Sequence, residues 1–395
     1  MPDPLSASAP VPAERPLAGL LVADFSRVLA GPLATMTLAD LGARVIKVER
    51  PGKGDDTRSW GPPYSPTGAT YFESVNRNKE SVCLDLSQPG DRQLARKLAV
   101  AADVVVENFM PGGMDKLGLG YEQLSAENPK LVYASISGFG SAEGASLPGY
   151  DFIVQAVGGL MSITGDAEGS PYKAGVALVD VLTAKDASIG ILAALQARSA
   201  TGLGRRLEVN LLSSLQGALA NQAQAWLGAG TIPQRMGNAH PSIVPYQLLE
   251  CADGPLAVAC GNDGQFRRLA EALGQPHLAE DKRFDTNTAR VQHRAELIPL
   301  LEQALSSTSA GVWQDKLTAV GVPAGPVATI DEGISYAESL GLKPTIEVRD
   351  ASGQPAGRQV RHPISWTPAF EPRASAPPAL GEHTESVVEW LRSLD

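Results

Sequence analysis

The sequence predicts an α/β protein with a doubly wound, Rossmann-like large domain and a smaller α+β domain. Strand-length apolar runs alternate with helical segments in the first half, at LLVAD (20–24), RVIKVE (44–49), SVCLDL (81–86), DVVVEN (103–108) and LVYASIS (131–137). This alternation indicates parallel βαβ units. A loop rich in Gly and Pro, GTIPQRMGNAHPSIVP, then precedes a compact stretch of two strands and three helices. Such a loop is typical of a domain boundary.

Local signals justify the elements in turn. Pro32 suits the first turn of a helix that runs to about Leu41, and Gly42 follows its end. Helices are predicted near 90–101, over 183–199 and 211–228 around the strand RRLEV, and in the small domain over 264–273, 290–307 and 309–320. IEVRDASGQPAGRQVRHPISW predicts a hairpin, and GEHTESVVEWLRSL predicts a terminal amphipathic helix.

These signals divide the chain into four parts. We expect a flexible Pro/Ala-rich tail over 1–16, a large α/β domain over 17–228 and a small α+β domain over 229–328. The remaining segment, 329–395, is expected to return to the large domain.

Composition excludes several classes of function. A net charge of −10 disfavours nucleic acid and anionic membrane as partners. The three cysteines have neither metal nor disulfide spacing, so we expect a reducing compartment, the cytoplasm, and no metal. No apolar run reaches the ~20 residues of a membrane span, and the first residues lack a secretion or transit signal. The five histidines form no H-x-x-x-H motif and G-x-S-x-G is absent, which disfavours zinc catalysis and a hydrolase triad.

Asp180 is the most informative residue. It ends the apolar, strand-like run that begins at Ala174, and a helix is predicted from Thr183. At that position an Asp is either a helix N-cap or a reactive group. A carboxylate with the ordinary pKa of ~3.9 is ionised at neutral pH and needs no base for activation. In a chain with few candidate bases, Asp180 is therefore a candidate nucleophile.

Three loops carry cations beside predicted strands: RPGKGDDTR (50–58), NRNK (76–79) and NFMPGGMDK (108–116). If they converge at one sheet edge, they would suit a polyanion with separated phosphates. The alternative is ordinary solvated surface charge. The first βα turn, SRVLAGP, has only Gly31 in place of G-x-G-x-x-G, so a nicotinamide-dependent oxidoreductase is a weak alternative function.

Upstream of Asp180, Pro148-Gly-Tyr-Asp151 fits a turn. Its alternative role is to bring a second polar pair to the same cleft.

Taken together, DFSRVLAGPLATMTLADLGARVIKVERPGKGDDTR, SVNRNK, VVVENFMPG, GYD and the Asp180 segment resemble the class III CoA-transferases, the family of formyl-CoA and carnitine-CoA transferases. The resemblance runs from about Leu17 to the terminal LGEHT. GDDTRSWGPP, SVNRNK and GNAHPSIVPYQ look most like the succinyl-CoA:glutarate branch.

The resemblance implies that CoA moves from an acyl-CoA to a small carboxylic acid through an Asp180 mixed anhydride and an enzyme–CoA thioester. Tyr150 and Asp151 would lie beside the thioester. The positions that match CoA contacts of the family are Leu29, Ala30, Arg50, Asn76, Arg77, Asn78, Lys79, Asn108, Phe109, Met110 and Lys116. CoA is then a substrate, and the family's interlocked homodimer is expected.

Two further expectations concern specificity. A dicarboxylate acceptor needs a cation for its far carboxylate, for which Lys173, Arg235 and His240 are candidates, and Gly261 is a candidate backbone donor to an oxyanion. The rival within the family is a 2-methylacyl-CoA racemase, which uses a His in Gly-His-Asp. Here the triplet is Gly149-Tyr150-Asp151, and Tyr, with an ordinary pKa of ~10, is a poor base at neutral pH.

Overall fold

The computed structural model describes residues 15–394, and residues 1–14 of the predicted tail lie outside that range. The strands of the described residues are β1 (Leu21–Asp24), β2 (Arg44–Glu49), β3 (Tyr64–Ser65), β4 (Gly68–Ala69), β5 (Lys79–Cys83), β6 (Val104–Glu107), β7 (Val132–Ser137), β8 (Arg206–Asn210), β9 (Tyr246–Glu250), β10 (Pro255–Ala259), β11 (Ala324–Pro326), β12 (Thr345–Arg349) and β13 (Pro355–Val360).

The α-helices of the same residues are α1 (Ala30–Asp40), α2 (Thr70–Glu73), α3 (Pro89–Ala101), α4 (Gly113–Lys116), α5 (Tyr121–Ser125), α6 (Asp151–Val157), α7 (Leu178–Thr201), α8 (Leu211–Ala218), α9 (Ala220–Ala229), α10 (Asp263–Ala272), α11 (Asn287–Gln292), α12 (Arg294–Leu305), α13 (Ala310–Ala319), α14 (Ile330–Ser339) and α15 (Thr384–Arg392). Within the described part of the chain, no helix is both long and apolar enough to span a bilayer.

A parallel six-stranded sheet forms the centre of the first half of the chain. Its strand order is β5-β2-β1-β6-β7-β8, and every neighbouring pair is parallel. Because β1 pairs with β2 on one side and β6 on the other, the strand order reverses at β1. In doubly wound sheets the crevice at the carboxyl ends of such strands is where ligands bind. The predicted α/β class with a parallel central sheet is confirmed.

The chain forms two compact units. Unit 1 comprises the described residues up to 158, residues 174–223 and the described residues from 343 onwards, and unit 2 comprises 159–173 and 224–342. Unit 1 therefore includes most of the stretch after 328. The segment 159–173, which the sequence placed in the large domain, and residues 329–342 belong to unit 2.

Each unit has its own apolar core. In unit 1, strand residues such as Val105 pack against helix residues such as Leu98, and α15 adds Val387 and Leu391. In unit 2, an antiparallel sheet with the order β11-β10-β9 packs against α10, α12 and α13, with Trp313 in the core.

Three predicted elements differ from the structure. The run 174–180 is not a strand, because α7 begins at Leu178 and includes Asp180 in its first turn. The helix predicted over 211–228 is broken between α8 and α9, where Ala220 has a φ of 43°. The helix predicted over 290–307 is two helices, α11 and α12, with His293 between them. In each case hydrophobic periodicity gave the approximate location but not the boundary.

Candidate active site

A pocket lies at the carboxyl ends of β1, β6 and β7, and its volume is about 110 Å³. We call it the Asp180 pocket. The sequence-predicted residues that line it are Leu29, Ala30, Asn108, Phe109, Met110, Tyr150 and Asp180. Residues as far apart in the chain as Leu29 and Asp180 therefore meet at the crevice that the sheet topology creates.

The start of α7 is capped by a side chain from another helix. Asp151, at the start of α6, is 8% exposed, and its Oδ1 accepts hydrogen bonds from the Val179 N–H (2.7 Å) and the Asp180 N–H (3.2 Å). Helix N-terminal amides need such acceptors. Asp151, and not Asp180, is thus the capping residue.

The Asp151 carboxylate is itself held in place. Its Oδ2 accepts a hydrogen bond from Gln155 Nε2 (2.6 Å), and Gln155 Oε1 accepts one from the Ala174 N–H (2.8 Å). Within residues 15–394, the hydrogen bonds at Asp180 involve its backbone, and its carboxylate receives none. The network therefore fixes the main chain of Asp180 and leaves its carboxylate available to react.

The Asp180 carboxyl group has a perturbed pKa. Burial first, and then the nearby charge of Asp151, raise the pKa of Asp180 from 3.8 to about 7. Both causes disfavour the charged form. The expectation that Asp180 is fully ionised at neutral pH was wrong, because the sequence could not show either the burial or the neighbouring carboxylate. A raised pKa also makes the anion more basic, which favours a role in catalysis.

Tyr71 lies near enough to Asp180 for that charge to act on it, although it does not line the Asp180 pocket and the sequence did not indicate it. Burial, followed by the negative charge of Asp180, raises the pKa of Tyr71 to about 12. The phenol therefore stays neutral beside Asp180. Its ring packs edge-on against Trp60, with 5.2 Å between centroids. Nothing in the surrounding sequence ATYFES marks this Tyr, since its proximity to Asp180 depends entirely on tertiary structure.

Two glycines bring α6 to the pocket. A Cβ built on Gly149 would lie 2.5 Å from the Gly138 Cα, and one on Gly138 would lie 2.6 Å from the Gly149 Cα. Only two residues without side chains can approach so closely. This contact joins the end of β7 to the residues before α6, where Tyr150 is 61% exposed and lines the pocket.

Asn108 lines the pocket but uses its side chain inside the protein. Its Oδ1 accepts a hydrogen bond from the Arg27 N–H (2.9 Å), and its Nδ2 donates to the Arg27 carbonyl (2.7 Å). Both functional groups of the amide are thus engaged by one residue. The structure supports a role in shaping the pocket wall rather than the direct ligand contact expected from the sequence.

The segment Asn76–Lys79 differs most from the prediction. Its side chains are buried, and its two cations meet carboxylates: Arg77 forms two hydrogen bonds to Asp40, and Lys79 Nζ lies 3.0 Å from Asp24 Oδ2. The amides are also engaged. Asn76 accepts from Lys79, and Asn78 donates to Asp40. Cations that are already paired in the interior are poor phosphate ligands, so these side chains support the fold.

Arg50 and Lys116 have different environments. Arg50 is exposed and lines a second pocket of about 290 Å³, which shares Arg27 and Phe109 with the Asp180 pocket. Lys116 ends the short helix α4 and is exposed, but it lines neither pocket. Arg50 therefore fits a contact to a ligand that extends between the two pockets, and Lys116 does not.

The candidate acceptor residues are in unit 2. Arg235 donates hydrogen bonds to the carbonyls of Asp166 (3.2 Å) and Gly169 (3.1 Å), and Lys173 is exposed. His240 Nδ1 accepts from the Ser242 N–H (3.0 Å).

The Gly261 N–H donates to Gln265 Oε1 at 2.8 Å. Its use as an oxyanion donor would therefore require Gln265 to move. Arg235 donates its hydrogen bonds to two backbone carbonyls, although the sequence predicted that its guanidinium would bind the acceptor carboxylate.

Comparison with known proteins identifies the family. A family model described as CoA-transferase family III matches residues 17–384. The chain is 44% identical to the succinate–glutarate CoA-transferase of Agrobacterium fabrum, with 96% of each covered, and 40% identical to the succinyl-CoA:glutarate CoA-transferase of Homo sapiens, covering 96% of this chain and 87% of that one. The crystal structure of a CAIB/BAIF family protein from Brucella suis matches with a TM-score of 0.85 and 43% identity, covering 96% of this chain and 100% of that one. The chain belongs to CoA-transferase family III and is an enzyme of that class.

Proposed function

We propose that this enzyme transfers CoA from succinyl-CoA to a dicarboxylate such as glutarate, with Asp180 as the nucleophile. The observation that carries the mechanism is the Asp180 carboxylate, which lies in the pocket of the doubly wound sheet without a hydrogen-bond donor from residues 15–394. The substrates are inferred from relatives named as succinyl-CoA:glutarate CoA-transferases at 40–41% identity.

The proposed reaction proceeds through two anhydrides. Ionised Asp180 attacks the thioester carbonyl, so that a C–O bond forms, the C–S bond breaks and CoA thiolate leaves. The thiolate attacks the aspartyl carbonyl and releases the donor carboxylate, leaving an enzyme–CoA thioester. The acceptor carboxylate attacks that thioester, forming a second anhydride and releasing the thiolate. The thiolate then attacks the acceptor's acyl carbon, which yields the new acyl-CoA and regenerates Asp180.

The protein contributes position and electrostatics to these steps. Asp151 holds the backbone of Asp180, and burial strengthens the basicity of the Asp180 anion. The two pockets that share Arg27 and Phe109 offer a continuous path for CoA, with the thioester at Asp180 and the phosphates towards Arg50. A racemase is disfavoured because Tyr150 occupies the place of its base.

The direct test uses purified enzyme with succinyl-CoA and a panel of carboxylates, and identifies the CoA products by mass spectrometry. Hydroxylamine or borohydride added during turnover should modify Asp180. Asp180→Ala should abolish transfer, while Asp186→Ala, an exposed Asp on the same helix, should not. Transfer by Asp180→Ala, or label on another residue, would rule out this mechanism.

The pH dependence offers a second test. Because the attacking group is the Asp180 anion, kcat/KM for the donor should rise as the pH increases through about 7. A profile that is flat between pH ~5 and ~8 would contradict an essential carboxylate with a raised pKa.

We also propose a homodimer in the cytoplasm. In unit 2, α14 has no buried residues and exposes Ile330 (86%) and Tyr336 (56%), which suits a covered surface. The three free cysteines suit a reducing compartment. Light scattering of the purified protein tests the first proposal, and fractionation of the native host tests the second.

A further inference from the structure

The turn between β1 and α1 lines the Asp180 pocket with strained backbone. We call Ser26–Ala30 the β1–α1 turn; Arg27, Val28, Leu29 and Ala30 all line the pocket. Val28 has a φ of 71°, in the left-handed region that β-branched residues rarely adopt. Such a conformation persists only where the surrounding structure enforces it.

The turn differs from a glycine-rich phosphate loop in how it is shaped. Its one nearby glycine, Gly31, serves close packing, since a Cβ there would lie 2.2 Å from the Ser26 Cβ. The strained position itself is occupied by Val28. The conformation must therefore be imposed by neighbouring side chains and not by the freedom of a glycine.

Three side chains from outside the turn hold it: Lys47 in β2, Asp55 after β2 and Asn108 after β6. Lys47 Nζ donates to the Ser26 carbonyl at 2.7 Å, and Asn108 brackets the backbone of Arg27. Asp55 accepts the Val28 N–H with both carboxylate oxygens, at 3.3 and 3.2 Å. Consecutive residues of the turn are thus anchored one by one.

Asp55 acts at the strained residue and is itself rigid. It is 1% exposed, forms a buried ion pair with Lys47 Nζ at 2.9 Å, and accepts hydrogen bonds from the Thr57 N–H and hydroxyl. A buried ion pair often adds little to stability relative to apolar residues of similar volume. Here the pair directs a fixed carboxylate at the Val28 N–H.

We propose that Asp55 is a positioning residue for acyl-CoA, because its buried carboxylate holds Val28 in the left-handed conformation and thereby fixes the backbone of Val28, Leu29 and Ala30 along the Asp180 pocket. This inference rests on the proposed function, since it names how the same pocket is kept ready for its thioester substrate. Asp55 lines the second pocket, beside the proposed path of CoA, but it does not line the Asp180 pocket.

The test measures the effect of Asp55→Asn in three backgrounds: wild type, Val28→Ala and Val28→Gly. Ala and Gly both truncate the side chain, but only Gly adopts a φ of 71° without strain. Asp55→Asn should raise the KM for succinyl-CoA about tenfold in wild type and in Val28→Ala, because the strained backbone at residue 28 then loses the carboxylate that holds it. In Val28→Gly the increase should be about twofold or less, because the carboxylate is no longer needed. The KM for the acceptor should stay unchanged in every background.

An equal increase in all three backgrounds, or no increase, would overturn the proposal. If Asp55→Asn does not fold, Val28→Pro replaces it, since Pro removes the N–H and forbids a positive φ while the Lys47–Asp55 pair stays intact. An unchanged succinyl-CoA KM in folded Val28→Pro would also overturn it. Calorimetry of free CoA with the wild-type enzyme separates a failure of the proposed function from a failure of the proposed role of Asp55. A wild type that neither binds CoA nor transfers it refutes the proposed function. An active wild type in which Asp55→Asn raises the succinyl-CoA KM equally in all three backgrounds refutes the role of Asp55 alone.

Discussion

Replacing Asp151 by Asn should disrupt the start of α7 although the two side chains have the same shape. The Asn oxygen can still face the amides of Val179 and Asp180, which lie 2.7 and 3.2 Å from Asp151 Oδ1 in the wild type. Its NH2 group then faces Gln155 Nε2, which lies 2.6 Å from Asp151 Oδ2 and is also a donor. Gln155 cannot rotate its amide without losing the bond from the Ala174 N–H to its Oε1.

The magnitude follows from the unpaired donors. Leaving a buried donor without an acceptor costs ~1–3 kcal/mol, so the first turn of α7 should open about 5- to 150-fold more often. Hydrogen exchange measured by mass spectrometry on peptides covering 174–183 reports this opening directly. It does not require the whole two-unit chain to unfold in one step.

The matched control moves the carboxylate from residue 151 to residue 155, one turn further along α6. Gln155→Glu alone places a second carboxylate against Asp151 and should also increase exchange. In the double variant Asp151→Asn/Gln155→Glu, the introduced Asn NH2 donates to the introduced carboxylate and the Ala174 N–H keeps its acceptor, so protection should return close to wild type. If the double variant exchanges as fast as either single variant, the proposed capping network is wrong.

The same substitution has a kinetic consequence. The charge of Asp151 is the second cause of the raised pKa of Asp180. Asp151→Asn should therefore move the acid limb of the kcat/KM profile below about 7, while burial keeps it above the ordinary value. An acid limb that moves upwards would contradict the assigned electrostatics.

Three further variants test the site and the fold. The raised pKa of Asp180, from 3.8 to about 7, means that its ionised form costs the folded state up to about 4 kcal/mol above pH 7. Asp180→Asn should therefore increase the unfolding free energy at pH ~8 and lose that gain below pH ~4, where Asp180 is protonated in both the folded and the unfolded state. The exposed Asp186→Asn is the control. No gain from Asp180→Asn at pH ~8 would contradict the raised pKa of Asp180. Arg77→Met should destabilise the protein by about 3–5 kcal/mol, because it leaves the buried Asp40 carboxylate without its ion-pair partner. The KM for succinyl-CoA in steady-state kinetics should stay unchanged. A higher KM at unchanged stability would instead indicate that Arg77 binds CoA. Gly149→Ala should lower the melting temperature and the activity, because the added Cβ forces the contact with Gly138 apart at a cost of about 1–3 kcal/mol. Gly217→Ala is the control and should lower neither, because a Cβ added at Gly217 meets no neighbouring atom within 4 Å. Equal effects of the two substitutions would exclude the close approach of Gly149 and Gly138 as the cause.

Element order could be read from the sequence because its signals are local. The apolar runs at 20–24 and 44–49 became β1 and β2, and the predicted hairpin and terminal helix formed as β12–β13 and α15. Each depends on residues within a few positions of one another. The start of α7 was misplaced because its cap, Asp151, is 28 residues from Val179.

The candidate ligand residues show the same division. Leu29, Ala30, Phe109 and Met110 reached the pocket because the ends of parallel strands meet at one edge. The cations of Asn76–Lys79 did not, since their partners Asp40 and Asp24 belong to the β1–α1 region and no local pattern reveals that pairing.

For Asp180, the sequence alone determined that a carboxylate stands shortly before a predicted helix in a chain with few candidate bases. Only the tertiary structure decided how that carboxylate behaves. Burial and the Asp151 charge raise its pKa to about 7, and Asp151 takes over the capping role that the sequence allowed for Asp180. The physical reason is that ionisation depends on dielectric environment and on charges within a few ångströms, and these are fixed by contacts between distant parts of the chain.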